Sequence, residues 1–262
     1  MRLVDIGDVR LHVDIRGPES GPVVVFCNSL GTDLRLWDPI LPYLPEGLRI
    51  IRFDKRGHGL STCPPAPYRM GTLVSDTEKL LDHLGVKDCV FVGLSIGGMI
   101  AQGLAVKRLD LVRAMVLSNT GAKIGTAQMW QERIEAIEKG GIESLADAVM
   151  TRWFSKDFLK DPQLELWRNM LTRQEDQGYI GCAAAISGTD FFTTTAGLRL
   201  PTLGIAGDED GSTPPDLVRE TVGLVPGSSF HLIRRAGHLP CVEQPQEFAQ
   251  VLRDFLTRVA HV

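Results

Sequence analysis

Three short stretches of the chain carry side chains suited to acyl chemistry. Ser95 lies in Gly93-Leu94-Ser95-Ile96-Gly97, between an apolar, β-rich run (Cys89-Val90-Phe91-Val92) and a helix-like run beginning Gly98-Met99-Ile100-Ala101. A serine on so sharp a strand-to-helix turn is held in a strained backbone conformation with its hydroxyl lifted clear of the sheet. Side chains two residues away on either side would clash, which the glycines avoid. The turn also aims the Ile96 N–H, at a helix N-terminus, toward any oxyanion formed at Ser95. A serine hydroxyl is a weak nucleophile at neutral pH, so it needs a base, and the base needs an orienting acid. Both follow later strand-like runs. Gly207-Asp208-Glu209-Asp210-Gly211 comes after Leu203–Ala206, and Ala236-Gly237-His238 comes after Phe230–Ile233. The chain order is nucleophile, acid, histidine, the order used by hydrolases built on such a turn. Three carboxylates crowd the acid loop, and an acidic turn ahead of Pro214 also suits a helix cap.

The elements that must position these residues read as follows. Leu3–Ile6 and Val9–Ile15 form a hairpin around Gly7-Asp8. Pro22–Cys27 is a continuous apolar run, as expected of a strand buried on both faces, and it ends in the loop Asn28–Thr32. A short helix over Trp37–Leu44, a strand over Leu48–Phe53 and the loop Asp54–Ser61 come next. Leu73, Thr77, Leu80, Leu81 and Leu84 then recur at helical spacing up to Gly85. After the serine turn comes a strand over Leu111–Leu117. Alternation of strands and helices implies a mostly parallel sheet covered on both faces, with all three chemical loops at its C-terminal edge. Between about 125 and 195 no strand is expected. Stripes at Trp130, Ile134 and Ile137, at Leu145 to Trp153, and at Leu164 to Leu171 indicate helices, and Gly181–Ile186 begins a fourth. Residues 122–195 therefore read as a helical cap inserted into a core of 1–121 and 196–262.

The chain has 262 residues, 44% hydrophobic and 23% charged, which suits one or two globular domains with a sizeable core. Its net charge of −4 and the lack of any Lys/Arg cluster argue against nucleic acid or an anionic membrane as partner. No apolar run approaches a membrane span, and the N-terminus lacks the apolar segment of a signal peptide. Five scattered cysteines without metal or disulfide spacing read as reduced thiols, and the expected location is cytoplasmic. No His/Cys/Asp cluster has metal-ligand spacing and no Gly-x-Gly-x-x-Gly is present, so neither a metal nor another cofactor is expected.

Taken together, the Gly-x-Ser-x-Gly turn, the acid loop and the final Gly-His resemble the α/β-hydrolase fold, over nearly the whole chain. That resemblance implies an eight-stranded, mostly parallel sheet flanked by helices, with a helical lid. Asn28-Ser29-Leu30-Gly31-Thr32-Asp33 with Trp37, and Met129-Trp130-Gln131-Glu132-Arg133-Ile134, are similar to 3-oxoadipate enol-lactonases. Those enzymes open an enol-lactone to 3-oxoadipate in aromatic degradation, which implies a small lactone or ester substrate. The family pattern Gly-x-x-Asp-x-x-x-Pro fits Gly207, Asp210 and Pro214 and points to Asp210 as the acid, with Asp208 in loop structure. Asn119 stands near the place where some relatives carry the acid instead. The resemblance implies an oxyanion hole from the Leu30 and Ile96 amides. Many relatives have His-Gly where this chain has Asn28-Ser29, so one of these two side chains is expected to brace the loop. Trp130 and Arg133, one helical turn apart, share a face. They serve either as cap packing with a solvated arginine, or as a ring wall and a carboxylate ligand. His58 is expected in a structural turn. The same scaffold also carries carboxylesterases, carbon–carbon bond hydrolases, perhydrolases and non-catalytic ligand receptors; the intact Ser/Asp/His set argues against the last.

Overall fold

In a computed structural model describing residues 1–262, eight strands form one sheet. They are β1 (Arg2–Asp5), β2 (Arg10–Arg16), β3 (Val23–Cys27), β4 (Arg49–Phe53), β5 (Cys89–Leu94), β6 (Val112–Ser118), β7 (Thr202–Gly207) and β8 (Ser229–Ile233). Their order is β1-β2-β4-β3-β5-β6-β7-β8. The β1/β2 hairpin and the β2/β4 pair are antiparallel, and every other pair is parallel. The mostly parallel sheet is what the alternation of elements implies, and its eight strands are the number that the resemblance to the α/β-hydrolase fold implies. Strands β3 and β5 are buried at every residue, which is why their sequences are apolar runs without alternation. Registers Cys27↔Gly93, Leu94↔Ser118 and Gly207↔Ile233 bring the last residues of β3, β5, β6, β7 and β8 to one edge.

Helices α1 (Met70–His83) and α2 (Ile96–Lys107) pack together, and α2 lies on β3, β5 and β6. The helix expected over Trp37–Leu44 is instead a 3-10 helix over Leu34–Tyr43. It starts earlier because Asp33 caps it, accepting from the Arg35 amide at 2.9 Å. Pro39 and Pro42 lack the amide protons that an α-helical ladder needs, which favours the tighter form. Its Trp37 ring is fully buried, with centroids 4.9 Å from Phe26 and 6.2 Å from Phe248 of the closing helix.

Between β6 and β7 every regular element is helical. The chain forms α3 (Ala127–Gly140), α4 (Ala146–Trp153), α5 (Leu164–Thr172), α6 (Asp176–Ser187) and α7 (Phe192–Ala196). The fourth helical stripe therefore begins at Asp176, five residues before the expected Gly181. The polar start Asp176-Gln177-Gly178 hides it from an apolar-periodicity reading. Trp130, Ile137, Trp153 and Leu171 of this segment belong to the same continuous cluster of buried residues as β3 and β5. The insertion thus shares the core of the sheet and does not build one of its own. Helices α8 (Pro215–Gly223), α9 (Pro240–Glu243) and α10 (Pro245–Arg258) complete the fold. No helix is long and apolar enough to cross a membrane.

Candidate active site

Ser95 joins β5 to α2 with φ 58° and ψ −118°, a left-handed conformation that a side chain adopts only under local constraint. Its amide donates to Ser118 O at 3.0 Å, and its carbonyl accepts from Thr120 Oγ1 at 2.6 Å. A Cβ on Gly93 would lie 2.2 Å from Gly97 O, and one on Gly97 2.1 Å from Cys27 O. The two glycines therefore allow the turn to fold on itself and against the end of β3. Ile96 is the first residue of α2, so its N–H is one of the free donors at a helix start.

The loop after β7 brings Asp210, and not Asp208 or Glu209, to His238. His238 Nδ1 donates to Asp210 Oδ2 at 2.9 Å, and both side chains are buried. The same oxygen accepts from Asn119 Nδ2 at 2.9 Å and Thr213 Oγ1 at 2.7 Å. Oδ1 accepts from the Ser212 and Thr213 amides at 2.7 and 3.0 Å. Burial pushes the Asp210 carboxyl up. The charge and hydrogen bond of His238, with the Asn119 and backbone donors, outweigh it and hold the pKa below the ordinary 3.8. Asp208 and Glu209 are exposed. Asp208 accepts from the Ala236 amide at 3.4 Å and Glu209 from the Lys156 amide at 3.0 Å. Asn119, legible beforehand only as a non-acid, is a direct partner of the acid.

On its other side, His238 Nε2 pairs with Ser29 Oγ at 3.3 Å, while Ser95 Oγ makes no hydrogen bond. Ser29, Leu30, Ser95 and His238 line one cavity of about 100 Å3 with Trp130, Arg133, Arg152, Trp153 and Tyr179. Nε2 thus pairs with Ser29 and not with Ser95, although both serines line the cavity beside it; hydrogen bonds between a nucleophile and its base often form only in the substrate complex. A larger depression of about 740 Å3, between Tyr68 and Phe191, holds no comparable nucleophile and base. The small cavity is therefore the candidate site.

The loop after β3 is held from beneath. Asn28 Nδ2 donates to Phe53 O at 3.1 Å, and Asn28 Oδ1 accepts from Trp37 Nε1 at 3.0 Å. Asn28 is thus the side chain that braces the loop, while the Ser29 hydroxyl faces the cavity. Lys55 Nζ donates to Ser29 O at 2.6 Å. The Leu30 N–H has no protein partner, and the next amide, Gly31 N–H, donates to His58 Nε2 at 3.0 Å. His58 sits in its turn as expected, and it also supports this loop. Nε2 can accept only when unprotonated, so Nδ1 carries the proton, directed at Arg56 O (3.4 Å). Burial first, and then the Lys55 charge, push its pKa well below the ordinary 6.5.

That shift has a consequence for stability. The unfolded chain protonates His58 below about pH 6.5 and the folded chain does not, so its contribution is present above that pH and lost on acidification. Between pH ~7.5 and ~5.5 the wild type should lose stability more steeply than His58→Gln, by up to about 1.4 kcal/mol per pH unit. Urea melts of both proteins at the two pH values measure this, and equal acid losses would contradict a neutral, buried His58.

Trp130 and Arg133 both reach the cavity from α3. Trp130 Nε1 donates to Ile124 O at 2.7 Å, and the Arg133 guanidinium lies 4.7 Å from the Trp130 ring centre. Arg152 of α4 lies beside them; the sequence marked it only as part of a helical stripe. Neither guanidinium has a carboxylate partner within 4 Å or donates a hydrogen bond, and both are partly buried. Burial, and then the Arg133 charge, lower the Arg152 pKa. Backbone bonds tie α4 to the chemical loops. Trp153 O accepts from His238 N at 2.7 Å and Arg152 O from Gly211 N at 3.1 Å. The Glu243 carboxylate accepts from the Gly237 and Ser155 amides at 2.6 and 3.0 Å.

A family model described as alpha/beta hydrolase matches residues 10–251. A 3-oxoadipate enol-lactonase of Acinetobacter baylyi is 33% identical over 253 residues, covering 96% of this chain and 94% of that one. The crystal structure of an enol-lactonase from Burkholderia xenovorans LB400 superposes with a TM-score of 0.94 at 33% identity, covering 98% of this chain and 100% of the other. A thermophilic esterase from Thermogutta terrifontis gives a TM-score of 0.90 at 26% identity, covering 97% and 95%.

Proposed function

The chain belongs to the alpha/beta hydrolase family, and from that membership we propose that it opens enol-lactones of small carboxylic acids by acyl transfer. The substrate favoured is 3-oxoadipate enol-lactone, in the degradation of aromatic compounds. The observation that carries the substrate class is the pair of unpaired guanidinium groups, Arg133 and Arg152, lining the cavity of Ser95 and His238. Two like charges partly buried together repel each other, and a substrate carboxylate between them would remove that cost. The enol-lactonase relatives agree in substrate class.

In this scheme His238 Nε2 takes the Ser95 proton as Oγ attacks the lactone carbonyl. Asp210 keeps the Nδ1 proton in place and stabilises the imidazolium. The Leu30 and Ile96 amides receive the negative oxygen. Collapse breaks the ring C–O bond, and the enolate leaves while still tethered through the acyl chain. An enolate is a better leaving group than an alkoxide, so it needs less help from the His238 proton. The His238 imidazolium then gives its proton to the enolate, which becomes the keto form, and His238 returns to the neutral state. Water, with His238 again as base, then releases Ser95 and the dicarboxylic product. Trp130, Trp153 and Tyr179 wall the site. Residues 122–195 act as the cap that sets substrate choice, and every step uses groups of the chain and water.

The test compares kcat/KM for the enol-lactone with that for uncharged esters such as p-nitrophenyl acetate. A clear preference for the uncharged ester would remove the lactonase assignment in favour of a general carboxylesterase. Arg133→Met should lower kcat/KM for the lactone about 10- to 100-fold, mainly through KM, as expected for loss of ~1.5–3 kcal/mol from a hydrogen bond to a charged group. The same variant should leave p-nitrophenyl acetate hydrolysis within about threefold, because that substrate offers no carboxylate to lose.

A further inference from the structure

One buried charge takes no part in the scheme above. The Lys55 side chain is almost completely buried, with no carboxylate within 4 Å, and its one hydrogen bond is to Ser29 O. An unpaired buried ammonium is costly. Satisfying that carbonyl does not explain it, because Thr32 Oγ1 and Thr32 N already donate to Ser29 O at 3.0 and 3.4 Å. The geometry gives another reason. Ser29 C=O and Leu30 N–H are the two ends of one planar trans peptide, pointing in opposite directions. The cation sits at the oxygen end, and the other end is the free amide assigned to the oxyanion.

We propose that Lys55 is a positioning residue for the oxyanion hole: its ammonium fixes and polarises the Ser29–Leu30 peptide, making the Leu30 N–H a stronger donor toward charge that develops at the substrate carbonyl. Hydrogen bonds in series polarise one another in a low-dielectric interior, and a charged donor does so most. The ammonium thus acts on the oxyanion through one peptide unit without touching substrate. The His58 imidazole accepts from the N–H of the following peptide, so the loop is set by two groups of one turn. The inference rests on the serine-hydrolase reading of Ser95.

The charge is also vulnerable to alkali. The groups facing Lys55 are the Asp54 and Asp33 carboxylates, the Cys27 thiol of β3, the Cys182 thiol of α6 and the neutral His58 ring. Burial raises both thiols to about 12, so neither supplies a thiolate at working pH. Burial of Lys55 itself, the largest influence, lowers its pKa below the ordinary 10.5. Its proton is lost before that of a surface lysine, and kcat should fall with it.

The experiment uses Lys55→Met, which keeps the length without charge, and Lys55→Gln, which keeps a donor without charge. Each is assayed for kcat and KM on p-nitrophenyl acetate, for inhibition by a trifluoromethyl ketone that adds Ser95 Oγ to form an oxyanion, for alkaline pH dependence, and for thermal melting. The expected result in both is a roughly tenfold lower kcat, smaller than the hundredfold or more typical of deleting a whole donor. KM should stay within about threefold, inhibitor affinity should fall by the same factor as kcat, and the alkaline limb should be absent. Folded variants with wild-type kcat and inhibitor affinity would overturn the proposal. So would a normal kcat in Lys55→Gln alone, which would show that a hydrogen bond suffices. Failure of both variants to fold would assign Lys55 to stability and likewise overturn it. Full activity in Ser95→Ala would instead remove the underlying reading, which separates the two failures.

Discussion

Ser95→Ala is expected to lower kcat by a factor on the order of 10⁴ to 10⁶, with residual hydrolysis from the oxyanion amides and the binding site alone. The fold should survive. The Ser95 hydroxyl makes no hydrogen bond, and the unusual backbone at this position is held by Ser118 O, Thr120 Oγ1 and the Gly98 amide. Alanine meets the same strain at φ 58° as serine does, so the substitution adds little. Melting temperature should therefore stay within a few degrees while the acyl-enzyme burst with p-nitrophenyl acetate vanishes. A variant that still gives a burst would end the covalent scheme.

Asp210→Asn should cost about 10⁴ in kcat, for a reason visible in its partners. Both carboxylate oxygens face only donors: Asn119 Nδ2, Thr213 Oγ1 and His238 Nδ1 on one, and the Ser212 and Thr213 amides on the other. An amide can offer its oxygen to one set only. If the NH2 faces His238, the imidazole must turn to the tautomer that carries its proton on Nε2, where it cannot accept from Ser95. If the NH2 faces the loop, two backbone amides lose their acceptor. In either orientation buried donors go unsatisfied, which costs about 1–3 kcal/mol each, so stability should fall together with kcat. Urea denaturation and kcat at neutral pH measure both. An active, fully stable Asp210→Asn would mean that the carboxylate charge is dispensable.

Much of this architecture was legible because it depends on periodicity and on turn chemistry. The buried runs of β3 and β5 and the glycines at 93 and 97 are local signals, and their causes appear as burial and as backbone approaches near 2 Å. Loops that end parallel strands necessarily share an edge, so the meeting of the acid loop with His238 follows from the order of elements, while the choice of Asp210 among its three carboxylates rests on the family pattern. What stayed hidden depends on which way a side chain turns in three dimensions. No spacing distinguishes Ser29, whose hydroxyl reaches His238, from Asn28, which turns inward to Trp37. Arg152 read as one residue of a helical stripe because its neighbour Arg133 is far off in sequence. Lys55 and His58 looked like a turn, since their partners lie in the loop after β3. The start of the 3-10 helix escapes the apolar pattern because its cap, Asp33, lies in a polar loop without helical periodicity.

The bonds from Trp153 O to His238 N and from Arg152 O to Gly211 N limit how this enzyme can admit a molecule. A door hinged to swing away at α4 would drag the base and the acid loop out of register with each opening. Met129, Trp130 and Arg133 of α3 border the same cavity without a hydrogen bond to either of those loops, so movement there would leave both bonds intact. The Asp210–His238 alignment and the α3 border of the cavity are therefore set by different contacts, and a substitution at one can leave the other unchanged.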